Sequence, residues 1–225
     1  MPLLGTAAML LSFDVADDVV AEHDRWHTEE HLPERLAIPG FLRGTRWVAR
    51  TGQPRYFVMY EVADLAVLQS QPYRDRLDHP SAWTSRMMPH YRGMTRGFCR
   101  VAASAGAGVG EAGLLARFAP RGEDETALRA WLDEALPALA SRPGIGSAHA
   151  FESASTPRMT AEQRIRGADA GLRWALLVTG YDADAIETLS VSGGLVDEVQ
   201  SRSAPDASFA TYRLHFMLTD RELGK

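Results

Sequence analysis

The stretch LPERLAIPGF at residues 32–41 returns at 136–145 as LPALASRPGI, and this internal repeat constrains the fold more than any other feature of the chain. Leu32/Leu136, Pro33/Pro137, Pro39/Pro143 and Gly40/Gly144 share one offset of 104 residues, at which Leu10-Leu11 also meets Leu114-Leu115. Further on, YFVMYEVAD from Tyr56 matches WALLVTGYD from Trp174 at an offset of 118, and Phe98 then falls on Phe216. The extra 14 residues are absorbed by TPRMTAEQRIRGADAG (156–171), which reads as a polar, glycine-containing loop. Self-similarity at a fixed period signals a duplicated structural unit. The chain therefore reads as two copies, 1–104 and a degenerate 111–225, joined by a small-residue linker at 105–110.

Each copy predicts strand, helix, strand, strand, helix, strand. Residues 5–13 form a short apolar run, and 17–31 switch to helical spacing, with Asp17 and Asp18 placed where helix N-termini favour acids. Pro33 and Pro39-Gly40 are expected to stop that helix and turn the chain. RGTRWVART and YFVMYEVA flank GQP at 52–54 and predict a hairpin; a second helical region follows within 64–91, and RGFCRVAA closes the unit. The second copy offers LLARFAP, a helix over DETALRAWLDEAL, then GSAHAFES, WALLVTGY, a helix from about 183 to 200, and FATYRLHFML. Two βαββαβ units imply two ferredoxin-like antiparallel sheets, each with one face covered by helices. The bare faces must be buried too. Packing them together predicts an α+β fold with an eight-stranded barrel inside one chain.

Charge and punctuation exclude several classes. A formal charge of −5, from 29 acidic and 24 basic residues spread along the chain, provides no basic footprint for nucleic acid. MPLLGTAAMLLSF lacks a basic leader and runs into ADDVVAEHD, so it reads as a buried strand rather than a signal peptide, and no apolar run approaches membrane-spanning length. One cysteine, Cys99, forbids an internal disulfide, and a reducing cytoplasm is the expected location. GVGEAG (108–113) matches a dinucleotide fingerprint by letters but leads into the strand LLARFA rather than a helix N-terminus, so it reads as linker. With no Gly-x-Ser-x-Gly elbow and no phosphate loop, no cofactor is expected.

WHTEEHLPERLAIPGFLRGTRW (26–47), with its acid-rich helix, His-Leu-Pro, Pro-Gly-Phe and Arg-aromatic strand, resembles EthD-like proteins of the dimeric α/β-barrel superfamily. Muconolactone isomerases, antibiotic-biosynthesis monooxygenases and stress-responsive barrel proteins share that broader fold, which shorter members assemble by dimerising. The resemblance implies a small, apolar or aromatic ligand held between helix and sheet, with the second helical region and the last strand bordering the cavity. On that ground Trp83, His90 and Tyr91 become lining candidates, with Trp26 beside the histidines. Some distant relatives bind haem through a histidine, which makes haem a further candidate. Internal pairing of the halves removes the need for a homodimer without forbidding one.

Val19, His23, His27, Glu30 and His31 fall on one helical stripe, away from Glu22, Arg25 and Glu29. Such a stripe faces the sheet, so His27 and His31 are expected to point inward, where an imidazole needs a hydrogen-bond partner or shifts its pKa. The repeat is an internal control: at the offset of 104, His27 becomes Trp131 and His31 becomes Ala135, while the prolines and glycine persist. The imidazoles thus answer to something other than the shared architecture. His31, assisted by Glu30 or His27, is the candidate for proton transfer. His27-Thr-Glu-Glu-His31 also spells H-x-x-E-H, but a zinc site needs a third protein ligand, so no metal is assigned. Arg46 and Trp47 are neighbours on a strand, and only one of them can face a pocket. The expected function is binding of a small organic molecule, with cofactor-free isomerase, cyclase or monooxygenase-like chemistry; the alternative is a non-catalytic metabolite-binding or stress-related barrel protein.

Overall fold

A computed structural model describes residues 3–122, 125–155, 161–191 and 194–224, with backbone only for Ser155 and Arg166. The first half runs β1 (Ala7–Val15), α1 (Val20–Trp26), α2 (Leu32–Leu36), β2 (Phe41–Thr51), β3 (Tyr56–Val62), α3 (Gln71–Asp78), α4 (Ala82–Met87) and β4 (Tyr91–Gly106). The second runs β5 (Ala112–Phe118), α5 (Thr126–Ala140), β6 (Ile145–Ser155), α6 (Ala161–Arg166), β7 (Ala170–Gly171), β8 (Trp174–Gly180), α7 (Ala183–Ser190), α8 (Leu195–Arg202) and β9 (Ser208–Thr219).

Eight strands close a ring in the order β1-β3-β2-β9-β5-β8-β6-β4, with β4 returning to β1, and every pairing in the ring is antiparallel. The two halves meet at two seams, β2 on β9 (Arg43 opposite Thr219) and β4 on β6 (Gly106 opposite Ser147). The expected α+β barrel is the observed fold.

Alternation along the strands sorts side chains into two environments. On β3, Phe57 and Met59 enter the barrel with Trp47, Leu115, Phe151, Leu177 and Tyr212, a filled interior rather than a lumen. Tyr56, Val58, Tyr60 and Val62 face outward beneath the first half's helices, where they meet Trp26, Leu32 and Leu36. A third cluster packs Leu128, Leu132 and Leu136 of α5 over β5, β6 and β8. No helix among the described residues is long and apolar enough to cross a membrane.

Three expectations need correction. Pro33 does not end its helix: after α1 the chain widens into a π-helical turn, His27–His31, in which the Leu32 N–H donates to the His27 carbonyl, and α2 continues to Leu36. Pro33 follows just after that widened turn and Pro137 lies inside α5, so neither proline ends its helix. The turn falls at the glycines: Gly40 and Gly144 take φ of 90° and 85°, a left-handed conformation that explains their return in both halves. The loop expected at 156–171 carries α6 and β7; its residues 156–160 lie outside the described residues, as does Asp124 of the expected second-half helix. Finally, the helix expected over 183–200 is two, α7 and α8, with residues 192–193 between them outside the described set.

Truncating the fully buried Trp47 to alanine empties the barrel centre. The expected loss is about 3–5 kcal/mol, read as a lowered urea midpoint, against little change for Leu4→Ala at a half-exposed position.

Candidate functional site

The histidine stripe folds as its spacing requires. His23, His27 and His31 are all buried, while Glu22, Arg25 and Glu29 are exposed. The ring centroids run 5.7 Å from His23 to His27 and 5.5 Å from His27 to His31, and Trp26 covers His31 at 4.4 Å. The π-helical turn keeps both imidazoles on the inner face although Pro33 follows. Widened turns of this kind recur at functional sites.

His27 and His31 line a cavity of about 30 Å³ between the helices and the outward face of β1, β3 and β4. That is room for one or two waters. Apolar side chains such as Phe13 and Val58 form much of its wall, and Arg35, Tyr60, Tyr73, Tyr91, Arg96 and Glu162 bring the other polar groups. His27 Nδ1, Arg35 Nη1 and the Tyr60 hydroxyl are buried with no hydrogen-bond partner among the described residues. Burial drives the His27 pKa well below its ordinary 6.5, reinforced by the charges of His23, Arg46 and Arg35, so this imidazole is neutral at pH 7. Burial likewise raises the Tyr60 pKa and keeps its phenol protonated.

Arg35 is the chief charge of the site. Burial is the largest influence and opposes its cation, yet the charge and hydrogen bond of the adjacent Glu162 carboxylate, together with Tyr73 and Tyr60, more than offset it and raise the Arg35 pKa. The two form a buried ion pair across the cavity, with Glu162 delivered by α6 from the second half. Removing either partner of such a pair strands a buried charge at a cost of about 3–5 kcal/mol.

A second network leads from the cavity toward solvent. The Tyr91 hydroxyl lies 3.4 Å from His23 Nε2, and His23 Nδ1 lies 3.3 Å from the Asp24 carboxylate. Because a carboxylate only accepts, Nδ1 carries the hydrogen, Nε2 is the acceptor, and the Tyr91 hydroxyl donates. Asp24 also accepts from the Tyr56 hydroxyl at 2.9 Å and lies 3.7 Å from Arg46 Nε, with a quarter of its side chain exposed. Burial opposes its charge, but the bonds from His23 and Tyr56 and the charge of Arg46 hold its pKa below the ordinary value. Burial lowers the His23 pKa despite Asp24. The result is a carboxylate–imidazole–phenol line whose inner end faces the cavity.

The remaining candidates are placed as follows. Glu30 does not line the cavity: it accepts from Trp26 Nε1 at 3.1 Å and from the Ser81 hydroxyl, tying α1 to the start of α4. Arg46 points to the helix layer, donating to the Asp24 carbonyl at 3.0 Å, whereas Trp47 enters the barrel interior, and neither lines the cavity. Trp83 is half-buried and donates to Glu22 at 3.2 Å, and half-buried His90 ends the turn before β4, outside the lining. Trp26 packs behind His31, and Tyr91 faces the cavity. Arg35, Tyr60, Asp24 and Glu162 were not among the sequence candidates. Arg35 follows His31 by four residues and extends the same stripe past Pro33, and Tyr60 shares the alternation of Tyr56 and Val58; nothing local marks Glu162. Among the described residues no three His, Cys, Asp or Glu side chains are grouped to hold a metal. In α5, Trp131, which the sequence offset of 104 sets against His27, donates to Glu198 at 3.0 Å.

No protein-family model and no curated protein sequence matches the chain. Solved structures do. An anthrone oxidase-like protein superposes with a TM-score of 0.66 at 10% identity, covering 98% of this chain and 96% of its own. A candidate monooxygenase from Fusobacterium nucleatum gives 0.64 at 9% identity, covering 96% of each chain. A heme-binding protein from Thermus thermophilus gives 0.52 at 11% identity, covering 98% of this chain and 94% of its own. At these identities the likeness is one of fold. A porphyrin does not fit a cavity of about 30 Å³ crossed by the Arg35–Glu162 pair as the side chains stand.

Burial gives the site a pH signature. In the unfolded chain His27 takes up a proton as pH falls through about 6.5, whereas the folded, depressed His27 does not, so stability is full above that value and is lost as pH falls below it. His149, buried on β6 with a pKa lowered to about 4, works in the same direction between there and about 6.5. Urea midpoints of the wild type are expected to fall between pH 7 and 5. His27→Gln should remove up to about 1.4 kcal/mol per pH unit of that slope; equal slopes would place His27 in water.

Proposed function

We propose that the chain binds a small organic molecule in the cavity beneath the π-helical turn, and that His27 and His31 move a proton on it. One observation carries this reading: His27 Nδ1, Arg35 Nη1 and the Tyr60 hydroxyl, all buried and without partners among the described residues, line a single cavity. Each such group left unpaired costs about 1–3 kcal/mol, and a polar atom of a ligand placed among them removes that cost. The internal duplication belongs to the same proposal, with one half carrying the imidazoles and the other Trp131 and Ala135.

The roles follow from protonation states. A neutral, buried imidazole accepts a proton and, because burial disfavours its charged form, returns it readily. Arg35 and the Tyr60 phenol are preorganised donors for an oxygen that gains negative charge. Together they suit removal of a proton beside a carbonyl, or from a phenol, with the developing oxyanion held by Arg35 and Tyr60. The Tyr91–His23–Asp24 line gives the proton a route out. Isomerisation, cyclisation and monooxygenase-like chemistry share this first step. The name of one structural neighbour, an anthrone oxidase-like protein, accords with an aromatic ligand, and that of another, a candidate monooxygenase, accords with monooxygenase-like chemistry.

Native mass spectrometry of freshly purified protein is expected to find one small molecule retained per chain. With that molecule identified, His27→Ala and His31→Ala are each expected to slow turnover by about 100-fold or more, the scale of lost general acid–base catalysis. Unchanged turnover in both variants removes the proton-transfer role. A ligand bound and released unaltered by the wild type establishes the non-catalytic alternative.

A further inference from the structure

The cavity as it stands is too small for the organic molecule just proposed, so something must move to admit it. All but one of its lining residues come from the first half; the exception is Glu162 on α6. This helix inverts the usual amphipathic rule, burying Glu162 and Gln163 while leaving Ile165 about two-fifths exposed. Polar contacts attach α6 and the residues after it to the first half. Glu162 pairs with Arg35, the Ala161 N–H donates to Asp78 at 3.3 Å, and Asp169 pairs with Arg96 at 3.0 Å. Both buried cations belong to the first half and both anions to residues 161–171, the part of the second half that has no counterpart in the first.

We propose that Glu162 is a built-in stand-in for the ligand's anionic group: the cavity takes an apolar or aromatic molecule bearing a carboxylate, which replaces the Glu162 carboxylate on Arg35 as α6 moves aside. The inference rests on the ligand-binding reading above and narrows it. A neutral ligand that pushed α6 away would strand the buried Arg35 cation, and an unpaired buried charge is strongly disfavoured. A carboxylate restores the pair and finds two further donors, Arg35 Nη1 and the Tyr60 hydroxyl. The apolar walls, Met9, Leu11, Phe13 and Val58 among them, suit the rest of the molecule.

Binding of benzoate, 1-naphthoate and 9-anthroate, each against its neutral carboxamide, tests the exchange by calorimetry on the full chain. The carboxylates are expected to bind at least 10-fold more tightly than the amides. Glu162→Gln, which removes the competing charge at nearly constant shape, should tighten carboxylate binding at least 10-fold and leave the amides unchanged. The double variant Arg35→Gln/Glu162→Gln, which strands no charge, should lose the preference. Hydrogen exchange reports separately on the movement: amides of residues 161–171 should exchange faster when a carboxylate is bound. Carboxylates and amides binding alike to all three proteins would overturn the exchange and leave the ligand site standing. No binding of either series to the wild type or Glu162→Gln would overturn both.

Discussion

Closure of the ring at its two seams, β2 against β9 and β4 against β6, is the constraint on which the rest of the molecule depends. Without it each half is a curved sheet with one apolar face in water and two unpaired edges, a configuration that invites aggregation. With it, Trp47, Phe57, Leu115, Phe151 and Tyr212 bury one another, and the barrel has no room for a ligand in its centre. The cavity lies instead on the other face of the strands, beneath the helices. There the second half is sealed by leucines of α5, while the first half presents imidazoles, a guanidinium and a phenol.

Burial then dictates the character of that site. Excluding water neutralises His27 and keeps Tyr60 protonated, and it makes the Arg35 cation untenable unless an anion stands beside it. The anion comes from a different part of the chain, so the two halves are joined by electrostatics at the site as well as by strand pairing at the seams. The same exclusion of water strengthens any interaction between these groups and a bound molecule. On the reading proposed above, a neutral imidazole at His27, the fixed donors Arg35 and Tyr60 and the Glu162 counter-ion together suit creating and holding negative charge on an organic ligand.

Much of the architecture was legible because it follows from local periodicity. The repeated Pro-Gly, the apolar strand runs and the inward histidine stripe each have one physical interpretation at short range. What escaped depends on register or on distant contacts. Pro33 reads as a helix stop because a proline removes a hydrogen bond, and only the π-helical turn before it shows how the helix continues to Leu36. Arg46 and Trp47 must face opposite ways, but which way is fixed by the pairing of β2 with β3 and β9. Glu162 meets Arg35 across 127 residues, from a segment whose composition reads as loop, so no local pattern announces it.

The account turns on the first half's imidazoles being buried beneath the helices rather than open to bulk water. Ring-nitrogen NMR of ¹⁵N-histidine-labelled protein tests this directly. It should show the His27 resonances at the shifts of a neutral imidazole, unmoved as pH is lowered from about 7.5 to about 5.5, across the ordinary histidine range. A His27 ring that titrates with a midpoint near 6.5 would contradict it.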